Sequence, residues 1–167
     1  MKNVSELKRL DEIAFQPFFS SGMQIHQILD WAVQQTGPVH LLNTTFSVSE
    51  EFLRAVFRLK SKGLILSSKE VADLKSAAKT QKINDLLRGV FDVVYLAENH
   101  SKVVLLNNDT WYVTIITSQN QTRGNRNEAG MISTDKTIFD AMKKEIVNMI
   151  ETKSVKWSKG EALPTKL

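Results

Sequence analysis

The chain has 167 residues, of which 42% are hydrophobic and 24% are charged, and these values are typical of a globular domain. Its formal net charge of +4 permits binding to phosphate-rich polymers without identifying a nucleic-acid groove. The absence of cysteine excludes disulfides, thiolate catalysis and cysteine-ligated metal sites. The charged start is unlike a signal peptide, and no apolar run reaches the ~20 residues that span a bilayer. We therefore expect a cytoplasmic protein with no membrane partner.

The spacing of apolar residues alternates between helical and strand periods along the chain. It predicts, in order, a short helix over 4–13, a helix over 23–36, a strand over 39–43, a helix from Ser47 or Ser49 to Gly63, a strand over 64–66, a helix over 69–88, strands over 91–96, 102–106, 111–116 and 129–133, and a helix over 135–151. Early β-α alternation followed by hairpins predicts an α/β fold, a mixed β-sheet flanked by helices on both faces. Residues 1–152 are predicted to form a single domain, and residues 153–167 a basic, loosely ordered C-terminal tail.

Three histidines are candidates for chemistry. His26 lies in a predicted helix and His40 in a predicted buried strand, and neither has a companion at metal-ligand or triad spacing, so we expect both to be structural. His100 opens a strand, and Lys102 lies two residues further along the same face. An imidazole there can attack phosphorus while the ammonium neutralises the phosphoryl oxygens.

A second segment is predicted to return to the same place. The turn at 107–109 predicts a hairpin, so the exit of strand 111–116 lies near His100. Ser118 and Asn120 then share one face and present a hydroxyl and an amide to the same anion. Glu128 follows a polar loop, and a carboxylate there can hydrogen-bond an imidazole and fix its tautomer.

In this order the residues resemble the signature of the phospholipase D superfamily. The matching positions are His100, Lys102, Ser118, Asn120, Thr122, Gly124, Asn127 and Glu128. The layout is similar to the short bacterial endonuclease branch, in which each chain contributes one motif.

That resemblance implies a phospholipase D-like half-site that dimerises. It also implies a metal-independent phosphodiesterase, a nuclease that needs no cofactor. The reaction would proceed through a phosphohistidine at the homodimer interface. It assigns catalytic roles to five residues. His100 of one copy would attack and His100 of the other would protonate the leaving oxygen, while Lys102 clamps the phosphate. Ser118 and Asn120 would orient the phosphate, and Glu128 would orient a histidine.

Two positions depart from the family pattern. Asn107 stands where the family has aspartate, and Thr117 stands where the family has glycine. We expect Asn107 to contribute to substrate binding together with Arg123 and Arg126, which flank the predicted site and favour nucleic acid as the substrate.

Two alternatives stay open at this point. The chain could be a catalytically weakened phospholipase D-like module that binds nucleic acid or another phosphate ligand without turnover, as the departures at Asn107 and Thr117 suggest. The motif could also be a coincidence within an ordinary α/β domain.

Overall fold

A computed structural model describes residues 3–79, 81–122 and 126–164. The strands in this part of the chain are β1 (Phe15–Ser20), β2 (Val39–Thr45), β3 (Ile65–Asp73), β4 (Val93–Ala97), β5 (Val103–Asn107), β6 (Tyr112–Thr117), β7 (Glu128–Ser133) and β8 (Ser154–Lys156). The helices are α1 (Ile25–Thr36), α2 (Glu50–Ser61), α3 (Leu74–Lys79), α4 (Gln81–Val90) and α5 (Lys136–Lys153), and a 3-10 turn covers Val4–Glu6.

The strands form one mixed sheet in the order β1-β7-β6-β5-β2-β3-β4-β8. β2, β3 and β4 are parallel, and the other neighbouring pairs are antiparallel. The larger core joins the sheet to α1, α2 and α4, and the smaller core joins the opposite face to α5. The predicted mixed sheet with helices on both faces is thus confirmed.

Helices α1 and α2 form where the apolar spacing predicts them. The buried side chains of α1 recur at Ile25, Ile28, Leu29, Ala32 and Val33, which lie on one face of a helix. α1 ends at Gly37, whose φ of 72° is a left-handed conformation that glycine adopts without strain. α2 begins after Ser49, whose hydroxyl accepts a hydrogen bond from the backbone N–H of Phe52.

The structure differs from the predictions in two early regions. β1 is a strand that the sequence did not predict, and only a 3-10 turn forms within 4–13. β3 extends from Ile65 to Asp73, although the sequence pattern predicted a helix beginning at residue 69. It stays extended because β2 and β4 pair with it on both sides and satisfy its backbone groups.

The C-terminal region also differs from the predicted loose tail. β8 pairs with β4 directly after α5, and Trp157 is only 3% exposed in the larger core. The Arg88 guanidinium lies 4.2 Å from the centroid of the Trp157 ring. Burial of this large aromatic ring fixes the segment against the sheet.

No helix among the residues that the structure describes is both long and apolar enough to cross a membrane.

Candidate active site

His100 and Lys102 lie between β4 and β5, at one end of the sheet. The Nζ of Lys102 donates to the Nδ1 of His100 at 3.0 Å and to the carbonyl oxygen of His100 at 2.6 Å. His100 is exposed and Lys102 is half-buried. Burial lowers the pKa of Lys102, and the negative charge of Glu128 acts in the opposite direction. The imidazole and the ammonium are therefore held side by side, as the H-x-K spacing predicts.

Ser118 and Glu128 meet at the same end of the sheet. The backbone N–H of Thr117 donates to the carbonyl oxygen of Lys102 at 3.1 Å, so the exit of β6 lies beside the start of β5. The hydroxyl of Ser118 donates to the Oε2 of Glu128 and accepts from the N–H of Ala129 at 3.0 Å. The predicted return of the hairpin thus brings a hydroxyl and a carboxylate next to Lys102.

The loop that carries Asn120 is fixed from two sides. The N–H of Gln121 donates to the Oγ1 of Thr45 at 3.4 Å, and the N–H of Ser49 donates to the carbonyl oxygen of Gln121 at 2.8 Å. Asn120 is half-buried, and its Oδ1 has no hydrogen-bond partner among the described residues. An amide is therefore held close to the site with its acceptor unused.

Asn99 and Ser101, the residues on either side of His100, make hydrogen bonds that hold this segment against the parallel strands. The N–H of Asn99 donates to the carboxylate of Asp73 at 3.1 Å, and its side-chain amide donates to the carbonyl oxygen of Thr45 at 3.2 Å. The hydroxyl of Ser101 donates to the Oδ1 of Asn99 at 2.6 Å. His100 thus projects from a backbone that is fixed on both sides, by a network that no motif in the sequence indicates.

Phe46, which directly follows β2, contacts the nucleophile candidate. Its ring centroid lies 4.9 Å from that of His100, with the planes tilted by 53°. Phe46 could not be assigned to the site from the motif, because it stands far from the motif along the chain. Its position directly after β2, whose end pairs with the start of β5, is the feature that indicates its closeness to His100.

A buried polar cluster lies at the same end of the sheet and consists of Asn43 in β2, Glu70 in β3 and Gln121. Burial raises the pKa of Glu70 to about 8, while Asn43 and Gln121 face the carboxyl closely enough to lower the pKa. None of the side-chain nitrogen and oxygen atoms of these three residues makes a hydrogen bond of ordinary geometry within the described part of the chain. Glu70 is therefore a neutral acid at neutral pH.

Some predicted residues are not brought to the site. Asn107 is at the other end of β5, roughly 17 Å along the strand from Lys102 at about 3.3 Å per residue. The structure therefore places it apart from His100 and Lys102, and its expected part in substrate binding stays a prediction. Arg126 is exposed near Glu128, whereas Arg123 lies outside the described residues. The Nδ1 of His40 is hydrogen-bonded to the hydroxyl of Ser67 at 2.7 Å. His40 pairs with Asn107 in the sheet, so it too lies at the far end from the candidate site.

Among residues 3–79, 81–122 and 126–164, no group of three or more histidine or acidic side chains is placed to hold a metal ion.

Comparisons with known proteins place the fold. No protein-family profile and no curated protein matches the sequence. Nuc from Salmonella typhimurium, described as a phospholipase D family member, matches with a TM-score of 0.66 and 13% identity, over 86% of this chain and 97% of Nuc. NucT from Helicobacter pylori matches with a TM-score of 0.62 and 14% identity, over 83% of this chain and 98% of NucT. A phosphatidylserine synthase from Haemophilus influenzae Rd KW20 has a TM-score of 0.62 and 14% identity, over 90% of this chain but 41% of the synthase.

At these identities the likeness concerns the fold. This chain spans nearly the whole of Nuc and NucT and less than half of the synthase, so it corresponds to one complete unit of the fold. The chain therefore has the phospholipase D-like fold, and the resemblance drawn from its sequence motif is confirmed at that level.

Proposed function

We propose that the chain is a metal-independent phosphodiesterase, a nuclease that acts as a homodimer through a phosphohistidine on His100. The observation that carries the proposal is the contact of the His100 imidazole with the Lys102 ammonium at 3.0 Å, at the end of the sheet where Ser118 and Glu128 meet. A nucleophilic nitrogen, a cation, a hydroxyl and a carboxylate are the groups that displacement at phosphorus requires. The likeness in fold to Nuc, a phospholipase D family member, supports the same conclusion.

A second histidine is needed for the full reaction, because a double displacement uses a nucleophile and a general acid. His26 lies in α1 with its Nε2 3.7 Å from Glu51, and His40 is at the other end of β2. We infer that a two-fold axis brings His100 of the partner subunit opposite His100.

The two steps then balance. The Nε2 of His100 forms a bond to phosphorus as the bond to the leaving oxygen breaks, and that oxygen takes a proton from the imidazolium of the partner's His100. In the second step the neutral imidazole of the partner's His100 takes a proton from water, whose oxygen attacks phosphorus and releases His100. The products are an alcohol and a phosphomonoester. The Nζ of Lys102 and the Nδ2 of Asn120 donate to the phosphoryl oxygens throughout. The hydroxyl of Ser118 also donates to them once its proton turns from Glu128 to the phosphate.

The tautomer of His100 gives Glu128 a role. Attack by Nε2 requires the ring proton on Nδ1, yet in the single chain Lys102, which only donates, occupies Nδ1. We infer that Lys102 turns to the phosphate when substrate binds. The partner subunit's Glu128 then accepts the Nδ1 proton and holds the productive tautomer.

The two departures from the family pattern are compatible with turnover. Among described residues only glycines have positive φ, so the backbone of Thr117 does not require glycine. The Oγ1 of Thr117 accepts from the N–H of Gln119 at 3.1 Å and stabilises the loop. Asn107 lies away from the site. Neither change therefore favours the alternative of a binding module without turnover.

Nucleic acid is the substrate class that the charges support. The chain is basic, with a net charge of +4, and Arg126 is exposed close to Glu128. A phosphodiester backbone recognised through such cations is bound without sequence preference. The cytoplasmic location stays a prediction from the absence of cysteine.

The test is cleavage of single- and double-stranded DNA in excess EDTA by wild type, His100→Ala and the matched control His40→Ala. We expect wild type and His40→Ala to cleave, and His100→Ala to lose at least about a thousandfold in rate. Quenching in detergent at alkaline pH, where the phosphorus–nitrogen bond survives, should trap DNA covalently attached to the wild-type chain. The same treatment of His100→Ala should trap none. A folded dimer that retards DNA without cleaving it would instead establish the binding module.

A further inference from the structure

The buried polar cluster joins the centre of the sheet to the loop 118–121. Asn43 and Glu70 are paired residues of β2 and β3, so their side chains lie next to each other on one side of the sheet. That side is covered by α1, α2 and α4, because Ala72, two residues from Glu70 along β3, belongs to the larger core. Gln121 faces the Glu70 carboxyl from the loop. The cluster therefore connects two central strands with the loop that carries Ser118 and Asn120.

The Glu70 carboxyl has no cation to neutralise it within the described part of the chain. Burial raises its pKa to about 8, and the groups that favour its charged form are the neutral amides of Asn43 and Gln121. At the site end of the sheet, Glu128 acts on the pKa of Lys102 rather than on that of Glu70. An ionised Glu70 would therefore be a buried and unpaired charge, which is costly.

The charged side chains of the covering helices have partners of their own. In α1, α2 and α4, those that the structure describes are paired as His26 with Glu51, Asp30 with Arg58, Glu50 with Arg54, Lys60 with Asp92 and Asp85 with Arg88. The residues that α2 buries are apolar, namely Phe52, Leu53, Ala55, Val56 and Leu59. These helices thus offer Glu70 an apolar cover and no counter-charge.

Ionisation also changes the hydrogen bonds that the cluster can form. A neutral carboxyl group donates one hydrogen bond and accepts others, whereas a carboxylate only accepts. The amide oxygens of Asn43 and Gln121 would then face a group without a donor. Both this loss and the unpaired charge are relieved if water reaches the carboxylate of Glu70.

The loop is the part of the cluster that can move to admit water. β2 and β3 are each paired with a strand on both sides, so Asn43 and Glu70 are fixed in the sheet. Gln121 is held by the bond from its N–H to the Oγ1 of Thr45 at 3.4 Å and by the bond from the N–H of Ser49 to its carbonyl oxygen at 2.8 Å. A segment held by few hydrogen bonds opens locally before the whole chain unfolds.

We propose that neutral Glu70 is a positioning residue, which holds the loop 118–121 in place through Gln121 and releases it on ionisation. The inference rests on the proposed function, in which Ser118 and Asn120 donate to the phosphoryl oxygens. Turnover should therefore fall at alkaline pH through movement of the loop, while the chain is still folded. At neutral pH Glu70 is protonated, and the loop stays in place.

The test compares kcat for DNA cleavage in excess EDTA at pH 7 and pH 9, at a temperature at which circular dichroism shows each chain folded. Glu70→Gln keeps a neutral side chain of the same size and cannot ionise, and Glu50→Gln is the exposed control. With a pKa of about 8, Glu70 is about nine-tenths ionised at pH 9, so wild type and Glu50→Gln should lose about tenfold more in kcat than Glu70→Gln. Titration of Lys102 and His100 affects all three chains alike and cancels.

A second measurement needs no activity. Amide hydrogen exchange in the loop 118–121 is compared between wild type and Glu70→Gln at the same pH, which cancels the effect of pH on the chemistry of exchange. We expect exchange at least about fivefold faster in wild type at pH 9 and equal rates at pH 6.5. Glu70→Met, which cannot ionise either, takes the place of Glu70→Gln if the amide does not fold.

The two measurements separate this inference from the proposed function. Equal alkaline losses of kcat in wild type and Glu70→Gln, or equal exchange of the loop at pH 9, would overturn the inference and leave the nuclease standing. A wild type that cleaves at no pH would overturn the proposed function. The exchange comparison alone would then decide whether Glu70 holds the loop.

Discussion

Two groups of polar side chains lie at one end of the sheet, an upper group at the surface and a lower group in the interior, and their environments are opposite. The upper group is His100 with Lys102 and Ser118 with Glu128, which are exposed or half-buried and joined by hydrogen bonds. The lower group is wholly buried and consists of Asn43, Glu70 and Gln121, which make no side-chain hydrogen bonds of ordinary geometry among the described residues.

The difference in environment assigns chemistry to the upper group and stability to the lower group. Groups at the surface keep their contact with water, so their loss removes reactivity at little cost in folding free energy. Buried polar groups lose hydration, so their ionisation is costly. The two groups are still connected, because Gln121 belongs to the loop that carries Ser118 and Asn120. Substitutions in the lower group should therefore change stability, and those in the upper group should change turnover.

The largest expected effect is a dependence of stability on pH that comes from Glu70. Its pKa in the folded chain is about 8 because of burial, and in the unfolded chain it returns to 4.5. Between these pH values the folded chain holds a proton that the unfolded chain has released, so the free energy of unfolding falls as pH rises. The contribution of Glu70 to the free energy of unfolding is full below pH 4.5 and is lost above about pH 8, a change on the order of 5 kcal/mol.

Urea unfolding from pH 5 to pH 9 measures this dependence, so we compare wild type with Glu70→Gln. The amide cannot ionise, so Glu70→Gln should lose the part of the slope that Glu70 supplies. Glu50→Gln, an exposed control on α2, should keep it. Equal slopes in wild type and Glu70→Gln would show that Glu70 is not a buried neutral acid.

The next effect tests the upper group. Lys102→Ala removes the ammonium from His100 and from the phosphate, so we expect the cleavage rate to fall by about 10²–10³ while the melting temperature changes little. Lys136→Ala is the matched control, because Lys136 is exposed on α5 and pairs with Asp140. A variant at Lys102 that keeps full activity, or one that loses stability instead, would remove the contrast between the two groups.

A smaller effect concerns the strand that carries Glu128. A Cβ added at Gly130 would lie 2.3 Å from the Phe18 ring and 2.6 Å from the Ile116 carbonyl oxygen. Gly130→Ala should therefore destabilise the chain by about 1–3 kcal/mol. Gly89→Ala, in α4 with open space around it, should stabilise by up to about 1 kcal/mol. Thermal unfolding of both variants tests the pair, and a neutral Gly130→Ala would contradict the tight packing of β7.

The upper group could be predicted from the sequence because its geometry is local. The H-x-K spacing puts His100 and Lys102 together, and the hairpin returns Ser118 to them. Asn107 was placed with them because of its position in the motif, although the rise along β5 carries it to the other end of the sheet.

The lower group and β1 could not be predicted in this way. Glu70 follows a polar run that resembles a helix start, and only pairing with β2 and β4 makes it a buried strand residue. β1 inverts the usual pattern, because Gln16 is buried while Phe15 and Phe19 are exposed. The buried side-chain amide of Gln16 makes two hydrogen bonds with the backbone of Lys8. Its Nε2 donates to the carbonyl oxygen at 2.7 Å, and its Oε1 accepts from the N–H at 3.0 Å. Such tertiary partners leave no trace in apolar periodicity.

The smallest expected effect asks whether Phe46 belongs to the upper group. Its ring lies 4.9 Å from that of His100, so we expect it to act on the reaction by orienting the imidazole. Phe46→Ala should lower kcat about tenfold, with KM nearly unchanged, and Phe46→Tyr should restore kcat. Phe57→Ala serves as the control, since Phe57 is an exposed phenylalanine of α2. A rise in KM with kcat unchanged would make Phe46 a contact of the substrate, whereas a loss of stability with unchanged kinetics would assign it to the support beneath the site.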